Sequence, residues 1–83
     1  MRARDLKRLK PGTKLRIRLN KTTQAWHLNP RLCNNKIAYL SYSDSANFDP
    51  SIHFIWLQSS RKRTEHTTFD CFTLKELSLV KEQ

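Results

Sequence analysis

Ile52-His53-Phe54-Ile55-Trp56-Leu57 is the one uninterrupted run of the chain in which nearly every side chain is large and apolar. Five of its six residues are β-branched, aromatic or leucine, and Pro50 stands just ahead of them. A short apolar run of this composition, bounded by a turn residue, predicts a strand buried on both faces. It is expected to be the central strand of a small β domain.

Upstream of it, residues 13–19 alternate strictly: Leu15, Ile17 and Leu19 share one face, and Lys14, Arg16 and Arg18 the other. That is the pattern of a half-buried strand. Its outer cations stand roughly 7 Å apart, close to the phosphate spacing along a nucleic-acid strand. Before that strand, residues 1–12 form a basic N-terminal arm, in which Leu6 and Leu9 fall on one side of a helical turn and Pro11-Gly12 ends the segment. Residues 20–35 have no sustained period and contain Pro30, so they predict a long loop anchored by Trp26 and Leu28. Trp26 has a second reading as an exposed stacking surface beside His27 and Arg31. Residues 36–42 return to strand chemistry with neither face clearly polar, which suits a sharply curved strand serving two sheets.

On the other side of the central run, residues 43–50 are polar and predict a loop. Residues 58–63 carry a second cationic cluster, Arg61-Lys62-Arg63, at what the pattern makes a hairpin tip. A partner strand follows over residues 64–72, with Thr67, Phe69 and Cys71 on one face and His66, Thr68, Asp70 and Phe72 on the other. Thr73-Leu74-Lys75-Glu76 has capping-box form and predicts one helical turn, after which residues 77–80 make a last short strand and 81–83 a tail.

With 83 residues the chain has room for one domain and one core, and a chain of this size buries only about 60 to 65% of its unfolded surface. The formal net charge is +9. It is unevenly placed: residues 1–43 hold eleven Lys and Arg against Asp5 alone, whereas residues 44–83 hold five against six acids, giving +10 and −1. A one-signed half favours polyanions or acidic protein faces as partners. No apolar run approaches a membrane span of roughly 18 residues. Met1-Arg2-Ala3-Arg4-Asp5 leads into charge and not into a signal-peptide core, so cytoplasm or nucleus is the expected location. Reduced thiols are expected at Cys33 and Cys71, and the Asn20-Lys21-Thr22 sequon is expected to go unused.

Four strands, a single helical turn and a last short strand, with the longest loop after the first strand, resemble an SH3-like small β-barrel, the group that includes Tudor and KOW modules. The residues behind the resemblance are Leu9-Lys10-Pro11-Gly12-Thr13-Lys14-Leu15-Arg16-Ile17 at the opening and Phe72-Thr73-Leu74-Lys75-Glu76-Leu77-Ser78-Leu79-Val80 at the close. The resemblance implies a mostly β fold, one five-stranded barrel over residues 13–80. The chain departs from KOW modules in having Asn34-Asn35 where they carry glycine, and from Tudor cages in offering only Tyr42 and Phe48.

No nucleophile elbow, phosphate loop or His-Glu metal helix is present in the sequence, so no catalytic residues, no cofactor and no small-molecule substrate are expected. His27 with Cys33 and His66 with Cys71 lack the close pairing of structural zinc sites, and surface histidines with buried thiols are the expected arrangement. The predicted function is a nucleic-acid binding module, for DNA or RNA, using Lys14, Arg16, Arg18, Arg31, Arg61, Lys62 and Arg63 on phosphates and Tyr42 or Trp26 on a base. The alternative is an interaction module or inhibitor, of the kind by which viral or mobile-element proteins blunt host defences, docked on an acidic protein. Basic residues interleaved with exposed aromatics on one strand face would favour the first, and the first strand shows the cations without aromatics.

Overall fold

The computed structural model describes residues 1–80, so the tail expected at 81–83 lies outside the described residues. The elements run α1 (Ala3–Leu6), β1 (Lys14–Ile17), α2 (Lys21–Gln24), β2 (Ile37–Ser45), β3 (His53–Gln58), β4 (Phe69–Phe72), a 3-10 turn (Leu74–Glu76) and β5 (Leu77–Leu79). The fold is mostly β. All five strands join one antiparallel sheet in the order β4-β3-β2-β1-β5, so the last strand returns beside the first. Among the described residues, no helix is long and apolar enough to cross a membrane.

β1 follows its alternation: Leu15 and Ile17 are fully buried and Leu19 nearly so, while Lys14, Arg16 and Arg18 point away from the core. Its ladder stops at Ile17, short of the expected Leu19. Beyond it the Arg18 amide donates to the Glu76 carbonyl, one more bond in the register with β5, and the Leu19 amide turns to Asn34 Oδ1, where the chain leaves the sheet.

The apolar run after Pro50 forms β3, and it differs from expectation in two respects. β2 holds the middle of the sheet, with β3 one place out between β2 and β4. Ile55 and Leu57 are fully buried, but Phe54 and Trp56 are only half-buried. A single sheet in a chain of this size has one core face, and among the described residues no second sheet or long helix covers the other. The aromatics shield one another there instead: Tyr42 and Trp56 stack with centroids 5.8 Å apart and planes 17° from parallel.

β2 is the curved strand. Its start pairs with β1 and its whole length from Tyr39 onward with β3, so Tyr39 faces Lys14 on one side and Gln58 on the other. The register steps from Leu40↔Leu57 to Tyr42↔Trp56, leaving Ser41 as the extra residue of a β-bulge that bends the strand. The expected loop at 43–50 shrinks because Ser43, Asp44 and Ser45 continue the ladder opposite Ile55, Phe54 and His53. Conversely, β4 begins at Phe69 and not near Thr64. The Ser and Thr side chains of residues 59–68 satisfy that loop locally, Thr64 N donating to Thr67 Oγ1 at 2.8 Å and Thr68 N to Ser59 Oγ at 2.9 Å.

Trp26 and Leu28 do not anchor the long loop; they are 78% and 82% exposed. Asn20 Oδ1 accepts from Thr23 N at 2.8 Å and winds the one-turn α2, after which Leu32, fully buried, and His27 hold the loop to the core. Nor is His27 a surface residue. It stacks on Phe72 at 4.4 Å, with Nδ1 2.8 Å from Asp70 Oδ2 and Nε2 3.4 Å from Glu76 Oε2, the longer contact being an ion-pair distance without hydrogen-bond geometry. Two carboxylates make the interior position beside Phe72 tolerable for an imidazole.

The expected closed barrel is an open, curled sheet. Residues 73–76 carry the chain from one edge strand to the other, so Phe72 and Leu77 stand at most about 18 Å apart. The sheet therefore curls until both reach one core. The 3-10 turn occupies the gap, and β5 pairs along one edge with β1 and forms no ladder with β4. The N-terminal segment belongs to the same body: Met1, Leu6 and Leu9 pack against the core, and the Met1 amino group donates to the Leu77 carbonyl at 3.1 Å.

Candidate nucleic-acid interface

Residues directly opposite one another in an antiparallel ladder share a face of the sheet. Read across β1, β2, β3 and β4, the registers put Lys14, Tyr39, Gln58 and Phe69 in one row on the face away from the core. A neighbouring row holds Tyr42, Trp56 and Cys71, and Arg16 lies opposite Ile37 at the other side. Cations on β1 thus adjoin aromatics on β2, β3 and β4 across the outer face. The first strand supplies the cations and its neighbours the rings.

The loop between β3 and β4 adds to this face. The Arg61 guanidinium stands 5.7 Å from the centre of the Tyr39 ring and that of Arg63 5.3 Å from the Phe69 ring, both within cation–π reach. Arg63 also donates to Ser41 Oγ at 3.2 Å, using the hydroxyl that the bulge leaves on the surface. The loop is held by Gln58, only 6% exposed, whose Nε2 donates to the carbonyls of Ser60 and Arg61 at 2.9 Å each. Ser60 Oγ donates to the Lys62 carbonyl at 2.8 Å and meets Thr67 Oγ1 at 2.7 Å. Arg61 and Arg63 are thereby folded back toward the sheet instead of extending as a hairpin tip. Between Ser41, Gln58, Arg61, Arg63 and the Pro11-Gly12 turn lies an open cleft of about 550 Å³. Gly12 makes its side of that cleft with φ +91, a left-handed conformation that favours glycine, while its amide donates to the Leu40 carbonyl at 2.8 Å.

Of the residues singled out from sequence, Lys14, Arg16, Tyr42, Arg61 and Arg63 come together on or over this face. Arg18 is exposed just past the end of β1, and Lys62 is exposed within the loop. Arg31, in the long loop, is not in these rows; its Nη1 donates to the His66 carbonyl of the β3–β4 loop at 2.7 Å. Tyr39, Gln58 and Phe69 were not among those residues. Tyr39 and Phe69 each sat on a legible strand face, but their place beside cations depends on register, which the pattern of one strand does not carry. Gln58 left no signal at all, being a lone amide at a strand end.

His27 lies between Asp70 and Glu76 with a ring nitrogen toward each, so the two carboxylates cannot meet at one ion; among the described residues no three His, Cys, Asp or Glu side chains form a metal-holding group. Cys33 and Cys71 are free thiols, half-buried. Burial, with the Asp70 and then the Glu76 carboxylate nearby, pushes the Cys71 thiol above its ordinary range. Compared with known proteins, the chain matches no family model, and no curated protein or solved structure matches it at a significant level.

Proposed function

We propose that the chain is a nucleic-acid binding module that uses the outer face of its sheet, and that it is a binder and not a catalyst. The observation that carries this reading is the row Lys14, Tyr39, Gln58, Phe69, with Arg61 and Arg63 standing over its two rings. Cations positioned on phosphates with aromatics available to bases are the combination such binding needs. A +9 chain with its positive charge in the first half adds long-range attraction for a polyanion. The strand order, with β5 beside β1 and one 3-10 turn before it, supports placing the chain near the SH3-like small β folds.

Fluorescence anisotropy of labelled DNA and RNA across a salt series tests this. The logarithm of affinity falls linearly with the logarithm of salt, with a slope near −0.9 per phosphate contacted on duplex and about −0.7 on single strands. Absence of binding to every nucleic acid at about 50 mM salt, where such contacts are strong, overturns the reading and favours an acidic protein partner.

A further inference from the structure

We propose that the outer face takes single-stranded nucleic acid in preference to duplex, with unpaired bases stacking on the Tyr42–Trp56 pair and phosphates lying along Lys14, Arg16, Arg61 and Arg63. This rests on the nucleic-acid reading above and narrows it to one substrate class.

Three features point to single strands. First, Tyr42 is 52% exposed while stacked on a half-buried Trp56, so one ring braces the other and leaves Tyr42 open to a planar partner. A braced ring loses little rotamer freedom when a base settles on it. Second, the rings of Tyr39 and Phe69 already hold planar guanidiniums over them. The face therefore accepts flat, polarisable groups, and an arginine displaced by a base keeps its charge within reach of the adjoining phosphate. Third, the Tyr39 row and the Tyr42 row are set by residues two apart on β3, Gln58 and Trp56, hence roughly 7 Å apart. A strand running along β2 passes Arg16, then Lys14 beside Tyr39, then Tyr42 beside Trp56.

A duplex cannot use these rings. Its bases are stacked on each other, and it offers proteins only phosphates and groove edges. Reading a groove needs a helix or a two-stranded ribbon that projects into it; the longest helices among the described residues are single turns of four residues, and the end of the β2–β3 ribbon carries Asp44 and Asp49 and no Lys or Arg. The basic loop lies folded over the sheet, pinned by Gln58. Unpaired bases can reach the open Tyr42 ring directly.

The test uses the full chain carrying Trp26→Phe, which removes the exposed loop tryptophan and leaves Trp56 as the reporter. Emission is followed on titration with oligothymidylate, oligouridylate, an abasic deoxyribose-phosphate strand and a duplex, each of about twelve nucleotides. Both single strands are expected to quench Trp56 and bind at least tenfold tighter than duplex, and the abasic strand to lose that advantage. Tyr42→Ala is expected to weaken single-strand binding by roughly 5- to 100-fold and leave duplex binding unchanged, with Tyr42→Phe retaining it. A thermal melt of each variant guards against misfolding, and the abasic arm needs no variant at all. Duplex binding as tight as single-strand binding, or an abasic strand binding as well as a normal one, overturns the proposal while leaving the broader reading standing. No binding of any strand overturns both. A difference between the thymidylate and uridylate arms assigns the preference to DNA or to RNA.

Discussion

Gln58 donates through its Nε2 to the main-chain carbonyl of Arg61 at 2.9 Å, and so a buried side chain of β3 sets where a loop guanidinium stands. The same nitrogen donates to the Ser60 carbonyl, which makes Gln58 the hinge pin between the sheet and its cationic loop. An amide suits this position because its two N–H donors meet two carbonyls, an arrangement a carboxylate cannot supply.

Replacing it separates shape from hydrogen bonding. Gln58→Leu keeps the buried volume but strands both carbonyls, and is expected to cost about 1–3 kcal/mol in urea unfolding. Gln58→Glu sets a carboxylate against the same carbonyls and is expected to cost more. In hydrogen exchange, amides in residues 59–63 are expected to open faster in both variants while the β1–β2 ladder keeps its protection. Unchanged exchange in that loop would remove the pinning role.

The two faces of β3 make a second prediction. Ile55 and Leu57 are fully buried among the core, whereas Phe54 and Trp56 look outward and are half-buried. Ile55→Ala or Leu57→Ala is expected to lose about 2–5 kcal/mol, enough to unfold most of so small a domain. Trp56→Ala is expected to lose clearly less, despite removing the larger side chain. Denaturant midpoints that rank Trp56→Ala as the most damaging would show a second covered face.

That asymmetry also marks where the sequence is legible. The strict alternation of Leu15, Ile17 and Leu19 against Lys14, Arg16 and Arg18 is a local signal, and the strand formed with those faces. Phe69 and Cys71 against Asp70 and Phe72 likewise fell as expected. Which apolar strand has cover on both sides is not local, because it depends on how many layers the chain can build. Register is not local either. The skip at Ser41 decides that Tyr42 meets Trp56, and only both strands together show it. The exchange of Trp26 for His27 follows from the same limit: hydrophobicity favours tryptophan inside, but Asp70 and Glu76, distant in sequence, supply the partners that let histidine take the interior place.

Cys71 carries a pH prediction. Burial pushes its thiol up, with the Asp70 and Glu76 carboxylates acting in the same direction, so at a given pH less of it is thiolate than for an ordinary cysteine. In a Cys33→Ser background, the rate of alkylation by iodoacetamide is expected to rise with pH later than that of a free cysteine peptide, and to return to the peptide's profile in denaturant. A native profile at or below the peptide's pH would contradict the burial argument.

Thr73 and Glu76 hold the turn between the two edge strands. The Thr73 amide and its hydroxyl both donate to Glu76 Oε1, at 2.9 and 3.0 Å, so the hydroxyl serves the carboxylate and not the helix amide that a threonine cap ordinarily serves. Thr73→Ala is expected to cost about 1 kcal/mol and Thr73→Ser little, since serine keeps the donor. Glu76→Gln tests the same contact from the other side, since it keeps an acceptor oxygen but removes the charge beside His27. Equal melting of all these variants would mean that the turn is held by its backbone alone.

The placement of the cations gives the sharpest prediction about the interface. Lys14, Arg16, Arg61 and Arg63 belong to or stand over one face, while Arg31 sits in the long loop with its guanidinium on the His66 carbonyl. If phosphates follow the face, Arg16→Ala, Arg61→Ala and Arg63→Ala each reduce the magnitude of the salt slope by roughly one contact and weaken all sequences alike. Arg31→Ala removes the same formal charge from the chain but leaves the slope unchanged. The comparison controls for net charge, which every one of these variants lowers by the same amount. Equal slopes lost at Arg16 and Arg31, measured by anisotropy over one salt series, would mean that the chain attracts polyanions through its overall charge and that the outer face has no special part in holding them.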